Sequence, residues 1–146
     1  MFDRLKPRSY FTLIKYDKNG KILWEERINN LVVNQGLEYV AKLFNGVSTD
    51  PFKYIAIGTD STSEAVGQTA LVAEYERVLA DVVYESDYKA KLTATYTFTG
   101  SVTIKEAGVF DDASAGHMYA RKTFADKSFT SGESLGIIWT IEFSRS

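Results

Sequence analysis

The chain has no cysteine and a single histidine, His117, in 146 residues. Disulfides, iron–sulfur clusters and the usual Cys/His zinc sites are therefore excluded together. No apolar run approaches the ~18 residues that a spanning helix needs, and no basic start leads into an apolar segment of the secretory type. The expectation is a soluble protein that is not conventionally exported and has no membrane partner. Charge of one sign is also lacking: 17 Lys and Arg balance 19 Asp and Glu, for a net charge of −2. Phosphate binding needs a clustered basic face, so nucleic acid is not an expected partner.

Nucleotide and hydrolase signatures are missing as well. The stretch "KYIAIGTDSTSEAVGQTALVAE", residues 53–74, looks at first like a phosphate loop because a short apolar strand runs into Gly58 and a hydroxyl-rich segment. Its glycines, Gly58 and Gly67, are too far apart for successive backbone N–H groups to converge, and no Lys or Arg lies between them. Asp60 and Glu64 would repel phosphate. The spacings G-x-x-x-x-G-K-[ST], G-x-G-x-x-G and G-x-S-x-G do not occur. The segment reads instead as a long solvent-facing connection between two strands.

The side chains that remain for chemistry are few. His117 lies in the small-residue turn "DDASAGHMY" and reads as an exposed turn histidine. Glu106, Asp111, Asp112 and Glu133 supply carboxylates of the type used in glycoside cleavage, but their spacing does not pair them. Asp111 and Asp112 read as turn formers. Glu106 sits in an otherwise apolar strand, where the Glu-Ala-Gly step suggests a bulge that buries it in a structural pair with Arg121 or Arg77. The Asp-x-Asn-Gly at residues 17–20 lacks the later ligands of a calcium loop, above all the acid at the twelfth position. The sequence thus assigns no catalytic residue, no cofactor and no metal site.

What is abundant is β-forming residue. Aromatics make up 14% of the chain and hydrophobic residues 45%, which favours strands over helices. Residues 10–16 and 22–28 form a hairpin around Asn19-Gly20. Residues 91–99 alternate strictly, with Leu92, Ala94, Tyr96 and Phe98 on one face, and residues 135–143 repeat the pattern with Leu135, Ile137, Trp139, Ile141 and Phe143. Residues 54–57, 77–84, 102–110 and 118–124 are further strands. One helix is expected over residues 34–46, capped by Asn34, with Leu37, Val40, Ala41 and Phe44 as its packing face.

The expected fold is an all-β, antiparallel β-sandwich, jelly-roll-like, with one short α-helix packed on it. It occupies residues 10–146, after an N-terminal arm at residues 1–9. That segment, "MFDRLKPRS", has no sustained period and is either a frayed terminus or an arm that orders across a neighbour. In the second case Phe2 and Leu5 anchor it, and Arg4, Lys6, Pro7 and Arg8 complete the candidate contact.

The order of segments carries a likeness. A hairpin containing "YDKNGK" leads to "NLVVNQGLEYVAKLFNG", then "KYIAIGT", "TALVAEYER", "TIKEAGVFDDASAGHMYARKTF" and "GESLGIIWTIEFS". This resembles a family of small tailed-bacteriophage virion proteins, over roughly residues 10–144. The family has a second glycine after "IAIGT", where this chain has Asp60. The resemblance implies a non-enzymatic, β-rich virion component with no catalytic residues to transfer. A compact domain without a repetitive shaft or coiled coil favours, within that class, a capsid decoration (cement) protein. Its partners would be the major capsid protein and copies of itself, most plausibly as a homotrimer. It would be made in the bacterial host cytoplasm and end on the virion. The alternatives are a tail or head-fibre component facing a host receptor, and a glycan-degrading enzyme using Glu106 or Asp112.

Overall fold

The computed structural model describes residues 4–145. Ten strands and one helix follow in the order β1 (Leu5–Tyr16), β2 (Ile22–Asn29), β3 (Leu31–Val32), α1 (Asn34–Phe44), β4 (Tyr54–Gly58), β5 (Glu74–Leu79), β6 (Asp81–Glu85), β7 (Lys89–Thr97), β8 (Val102–Phe110), β9 (Met118–Phe129) and β10 (Ser134–Arg145). They form two five-stranded antiparallel sheets, ordered β2-β1-β10-β7-β6 and β3-β9-β8-β4-β5. The protein is an all-β sandwich.

The alternating strands point as their sequences dictate. Leu92, Ala94, Tyr96 and Phe98 are buried, as are Leu135, Ile137, Trp139 and Ile141. Between the sheets Phe11 stacks on Trp139 with ring centroids 4.3 Å apart, and Phe98 stacks on Phe129 at 4.6 Å. Two polar groups tie the layers through this apolar core. The Tyr96 hydroxyl of β7 donates to the Ile55 carbonyl of β4 at 2.5 Å, and the Trp139 indole donates to Asn30 Oδ1 at 3.0 Å. Burial holds the Tyr96 hydroxyl well above the usual tyrosine pKa, so it stays a donor.

The first hairpin forms as its turn chemistry requires. Gly20 has φ +83°, its N–H donates to Asp17 O, and Asp17 Oδ1 accepts from the N–H groups of Asn19 and Lys21. Asp17 is thereby used as a local turn cap.

Three expectations change. The strand expected over residues 77–84 is two strands in different sheets. Ala80, small and buried, donates its N–H to Lys53 O and carries the chain from the edge of one sheet to the edge of the other. An apolar period does not register such a crossing. The N-terminal arm is also partly a strand: Leu5–Ser9 is the first part of β1 and pairs with Ile141–Arg145 of β10. Leu5, Lys6, Pro7 and Arg8 therefore lie within the sandwich sheet and Arg4 immediately precedes it, whereas Phe2 lies outside the described residues.

The third change is the orientation of α1. Asn34 is its first residue; Val33 holds the N-cap position without a side-chain cap. The buried side is built from Gly36, Tyr39, Val40 and Leu43, whereas Leu37 is 52% exposed and Phe44 94% exposed. The cause is Gly36, where a Cβ would collide with the Tyr119 carbonyl of β9. Close backbone approach at this point turns the helix about one position away from its most apolar stripe.

We therefore expect Gly36→Ala to be disproportionately destabilising for a helix position where alanine is intrinsically favoured. A loss of about 2–3 kcal/mol by urea denaturation is expected, against a gain or no change if the helix were merely laid on the surface.

Candidate functional site

The most constrained polar cluster lies under the loop from Gly58 to Ala73. Glu106 on β8 and Arg121 on β9 are fully buried, with Arg121 Nη2 and Nε at 2.9 and 3.0 Å from Glu106 Oε1. The carboxylate also accepts the backbone N–H groups of Asp60, Val72 and Ala73 at 3.1, 3.0 and 2.9 Å. Arg121 Nη1 donates to the Thr62 carbonyl at 2.8 Å and to Gln68 Oε1 at 3.1 Å. One buried ion pair thus anchors both ends and the middle of the loop. Gly58 belongs to the same device, since a Cβ there would strike the Glu106 carboxylate and the Ala73 carbonyl.

The loop is consequently not a free solvent-facing connection but a strap laced to the sheet. The glycine that suggests phosphate binding makes room for an internal carboxylate. Of the two arginines considered for Glu106, Arg121 pairs with it. Arg77 instead binds Glu74 at 2.6 Å and the carbonyls of Asp112 and Ala115, both at 2.9 Å, with its guanidinium 3.8 Å from the Phe110 ring centre. A register shift accompanies Glu106: the β8 step from Ile104 to Glu106 spans Lys127 to Thr123 on β9. The extra residues lie on β9, not in the Glu-Ala-Gly step.

A second anchor fixes the loop's middle. Glu64 takes Lys122 Nζ at 2.6 Å, the Thr123 hydroxyl at 2.7 Å and the Thr123 N–H at 3.3 Å. Burial pushes the Glu64 carboxyl up, but the bonds from Lys122 and Thr123 outweigh it and hold the pKa down at about 2.

His117 has a defined place that its sequence context did not reveal. Its Nδ1 lies 2.9 Å from the nearly buried Asp111 Oδ2, its N–H donates to Asp111 Oδ1 at 2.7 Å, and its ring stacks on Tyr39 of α1 at 3.6 Å. The pair closes the β8–β9 turn against the helix. Among the described residues no serine or threonine hydroxyl bonds to the imidazole.

The remaining acids are dispersed. Asp112 Oδ1 accepts from Ser114 N–H, and Glu133 accepts from Thr130 and lies 3.5 Å from Lys15. Glu106, Asp111, Asp112 and Glu133 share no hydrogen-bond partner. Among the described residues no group of three or more metal-ligating side chains forms, and no helix is long and apolar enough to cross a membrane.

Exposed surface is where side chains remain uncommitted. The edge strand β6 is exposed along its whole length, with Val82, Val83 and Tyr84 open to solvent. Leu79 before it in the chain and Tyr88 after it are also exposed. In the β6–β7 turn Asp87 and Tyr88 both have positive φ, and Tyr88 N–H donates to the Tyr84 hydroxyl at 3.2 Å. Sequence reasoning missed this surface because an apolar strand residue reads as core until the strand proves to be an edge. No family model, no curated protein and no solved structure matches this chain.

Two outcomes follow. Glu106→Gln is expected to lower stability by about 3–5 kcal/mol by leaving Arg121 buried without its counter-charge, and to expose residues 59–73 to limited proteolysis. A loss no larger than that of an exposed Glu→Gln change would remove the pair from its anchoring role. For Glu64 the folded pKa is below the ordinary 4.5, so its contribution is complete above that pH and is lost as pH falls towards 2. The stability gap between wild type and Glu64→Gln should be about 1–2 kcal/mol at pH 7, shrink below pH 4.5 and close near pH 2; a pH-independent gap would contradict this.

Proposed function

We propose that this chain is a non-enzymatic virion component of a tailed bacteriophage, a capsid decoration protein that binds the assembled lattice and stabilises it by contact area. It acts as a homo-oligomer, with a trimer favoured, and its second partner is the major capsid protein. The observation that carries the reading is the division of labour among side chains. The fully buried Glu106–Arg121 pair is consumed by internal anchoring of a loop, while large apolar side chains on β6 and on the outer side of α1 are left open. Apolar surface rimmed by charge is what a docking protein presents. The order of motifs shared with small virion proteins supports the same class, and the candidate contact residues Arg4, Leu5, Lys6, Pro7 and Arg8 lie at one end of the sheet.

Stoichiometry tests the proposal. In particles of the parent phage, this chain is expected to approach one copy per major capsid subunit by mass spectrometry. A ratio near one in a hundred would move it to the tail, with its exposed loops turned to a host receptor, and absence from the particle would end the virion reading.

A further inference from the structure

The edge strands of the sheet containing β1 are β2 and β6, and the first residues of β1, which β2 does not cover, match the β6 edge. β1 pairs with β10 from Leu5 to Tyr16 but with β2 only from Tyr10 to Tyr16, so the outer edge of its first residues is unpaired except where Asn30 N–H reaches Ser9 O at 3.5 Å. The opposite edge is β6, across β10 and β7. Every neighbouring pair is antiparallel, so β6 runs opposite to β1. A β1 placed beside the β6 of a second copy continues the sheet with its antiparallel order intact.

The faces agree as well. Phe11 and Leu13 point into the core, which puts Leu5 and Pro7 on the inner face and Lys6 and Arg8 on the outer. On β6, Val82 lies beside buried Leu92 and Tyr84 beside Ala90, so these two face inward and Asp81, Val83 and Glu85 outward. Backbone polarity follows the same alternation. Ser9 O faces the β2 side and Phe143 N–H faces Tyr88 on the β7 side; carried across the sheet, this directs the backbone groups of Leu5 and Pro7, and of Val82 and Tyr84, to the two open edges.

We infer that copies of this chain associate head to tail, the β6 edge of one copy pairing antiparallel with the first residues of β1 of the next. The register places Asp81 opposite Arg8, Val82 opposite Pro7, Val83 opposite Lys6, Tyr84 opposite Leu5 and Glu85 opposite Arg4. Charges of opposite sign meet on the outer face. On the inner face Tyr84, 74% exposed, Val82, 53%, and Leu5, 71%, cover one another. Among the described residues Arg4, Lys6, Arg8 and Asp81 make no ion pair, and Glu85 has Lys91 at 3.7 Å.

The alternatives fit less well. Two β6 edges would set Asp81 against Glu85, and two β1 edges would set cation against cation, both unfavourable across strands. A one-residue slip turns the apolar side chains to the wrong face. A two-residue slip one way leaves Glu85 opposite no cation; the other way runs into the part of β1 that β2 already covers. Pro7 supplies a carbonyl but no N–H, so the ladder has one bond fewer than its length allows. Because the two edges differ, the contact is heterologous and closes as a ring when the rotation permits.

The inference rests on the self-association part of the proposal above and not on the virion. Since the chain contains no cysteine, introduced thiols report on it alone. Lys6 and Val83 form a non-hydrogen-bonded pair in this register, whose ~4.5 Å Cα separation suits a disulfide. Mixing Lys6→Cys with Val83→Cys under oxidation should give a cross-linked heterodimer, whereas Lys6→Cys with Val82→Cys should not. In light scattering across a concentration series, Asp81→Lys with Glu85→Lys should weaken self-association about tenfold or more, and adding Arg4→Glu with Arg8→Glu should restore it. A wild-type chain that stays monomeric throughout would overturn both the inference and the self-association reading. Oligomers that ignore the charge reversal and give no Lys6–Val83 cross-link would overturn this interface alone. Cross-linked, charge-sensitive oligomers that do not bind the particle would leave the inference standing and count against the virion.

Discussion

The Glu106–Arg121 pair is the constraint on which the upper part of the molecule depends. Two charges removed from water cost several kcal/mol each unless the site returns nearly all their hydrogen bonds. Here the carboxylate accepts three backbone N–H groups besides the guanidinium, and the guanidinium reaches a loop carbonyl and a side-chain amide. Those partners all come from the strap between β4 and β5. The loop supplies what the pair needs, and the pair, together with Leu71 buried among Val33, Ala56, Phe110 and Met118, gives the loop a fixed path. Neither arrangement would persist without the other, which is why Gly58 must lack a side chain at the point of closest approach.

The sandwich below it is held differently. Its centre is apolar and aromatic, with Phe11 against Trp139 and Phe98 against Phe129, crossed by the Tyr96 hydroxyl, while Lys15 on Ser128 O and the Lys127–Glu26 pair link the sheets nearer the surface. The helix closes one end of this core by backbone proximity at Gly36 and by Val40, which packs against the core. The lining of that end is apolar apart from Tyr119. The buried Glu106–Arg121 pair is spent on internal adhesion, while large apolar side chains such as Val82, Tyr84 and Phe44 are open to solvent.

In the proposed contact between copies, the edges set the specificity. Natural sheets protect their open strands with charge and proline. β1 carries Lys6, Pro7 and Arg8 at its open end, while β6 carries acids at both ends of an apolar centre. Each pattern opposes pairing with its own kind, and together they favour pairing with the other.

The sequence by itself determined the class of fold. Alternation over residues 91–99 and 135–143, and a turn built on Asp17 and Gly20, are local properties. Side-chain period and positive φ act over a few residues whatever the rest of the chain does. The pairing of Glu106 with an arginine was legible from a charge in an apolar strand. Tertiary structure decided which arginine, that the loop over residues 59–73 is tied down, that His117 is held by Asp111 and Tyr39, that β1 starts before residue 10, and that Ala80 parts one apolar run into two edges. It also turned α1 by one position, keeping Val40 on the core but exposing Leu37, Ala41 and Phe44 of the stripe that periodicity assigns to it. Each of these depends on groups from distant parts of the chain meeting at short range, and the distances involved, a backbone against Gly36 or a carboxylate against Gly58, have no trace in the local pattern.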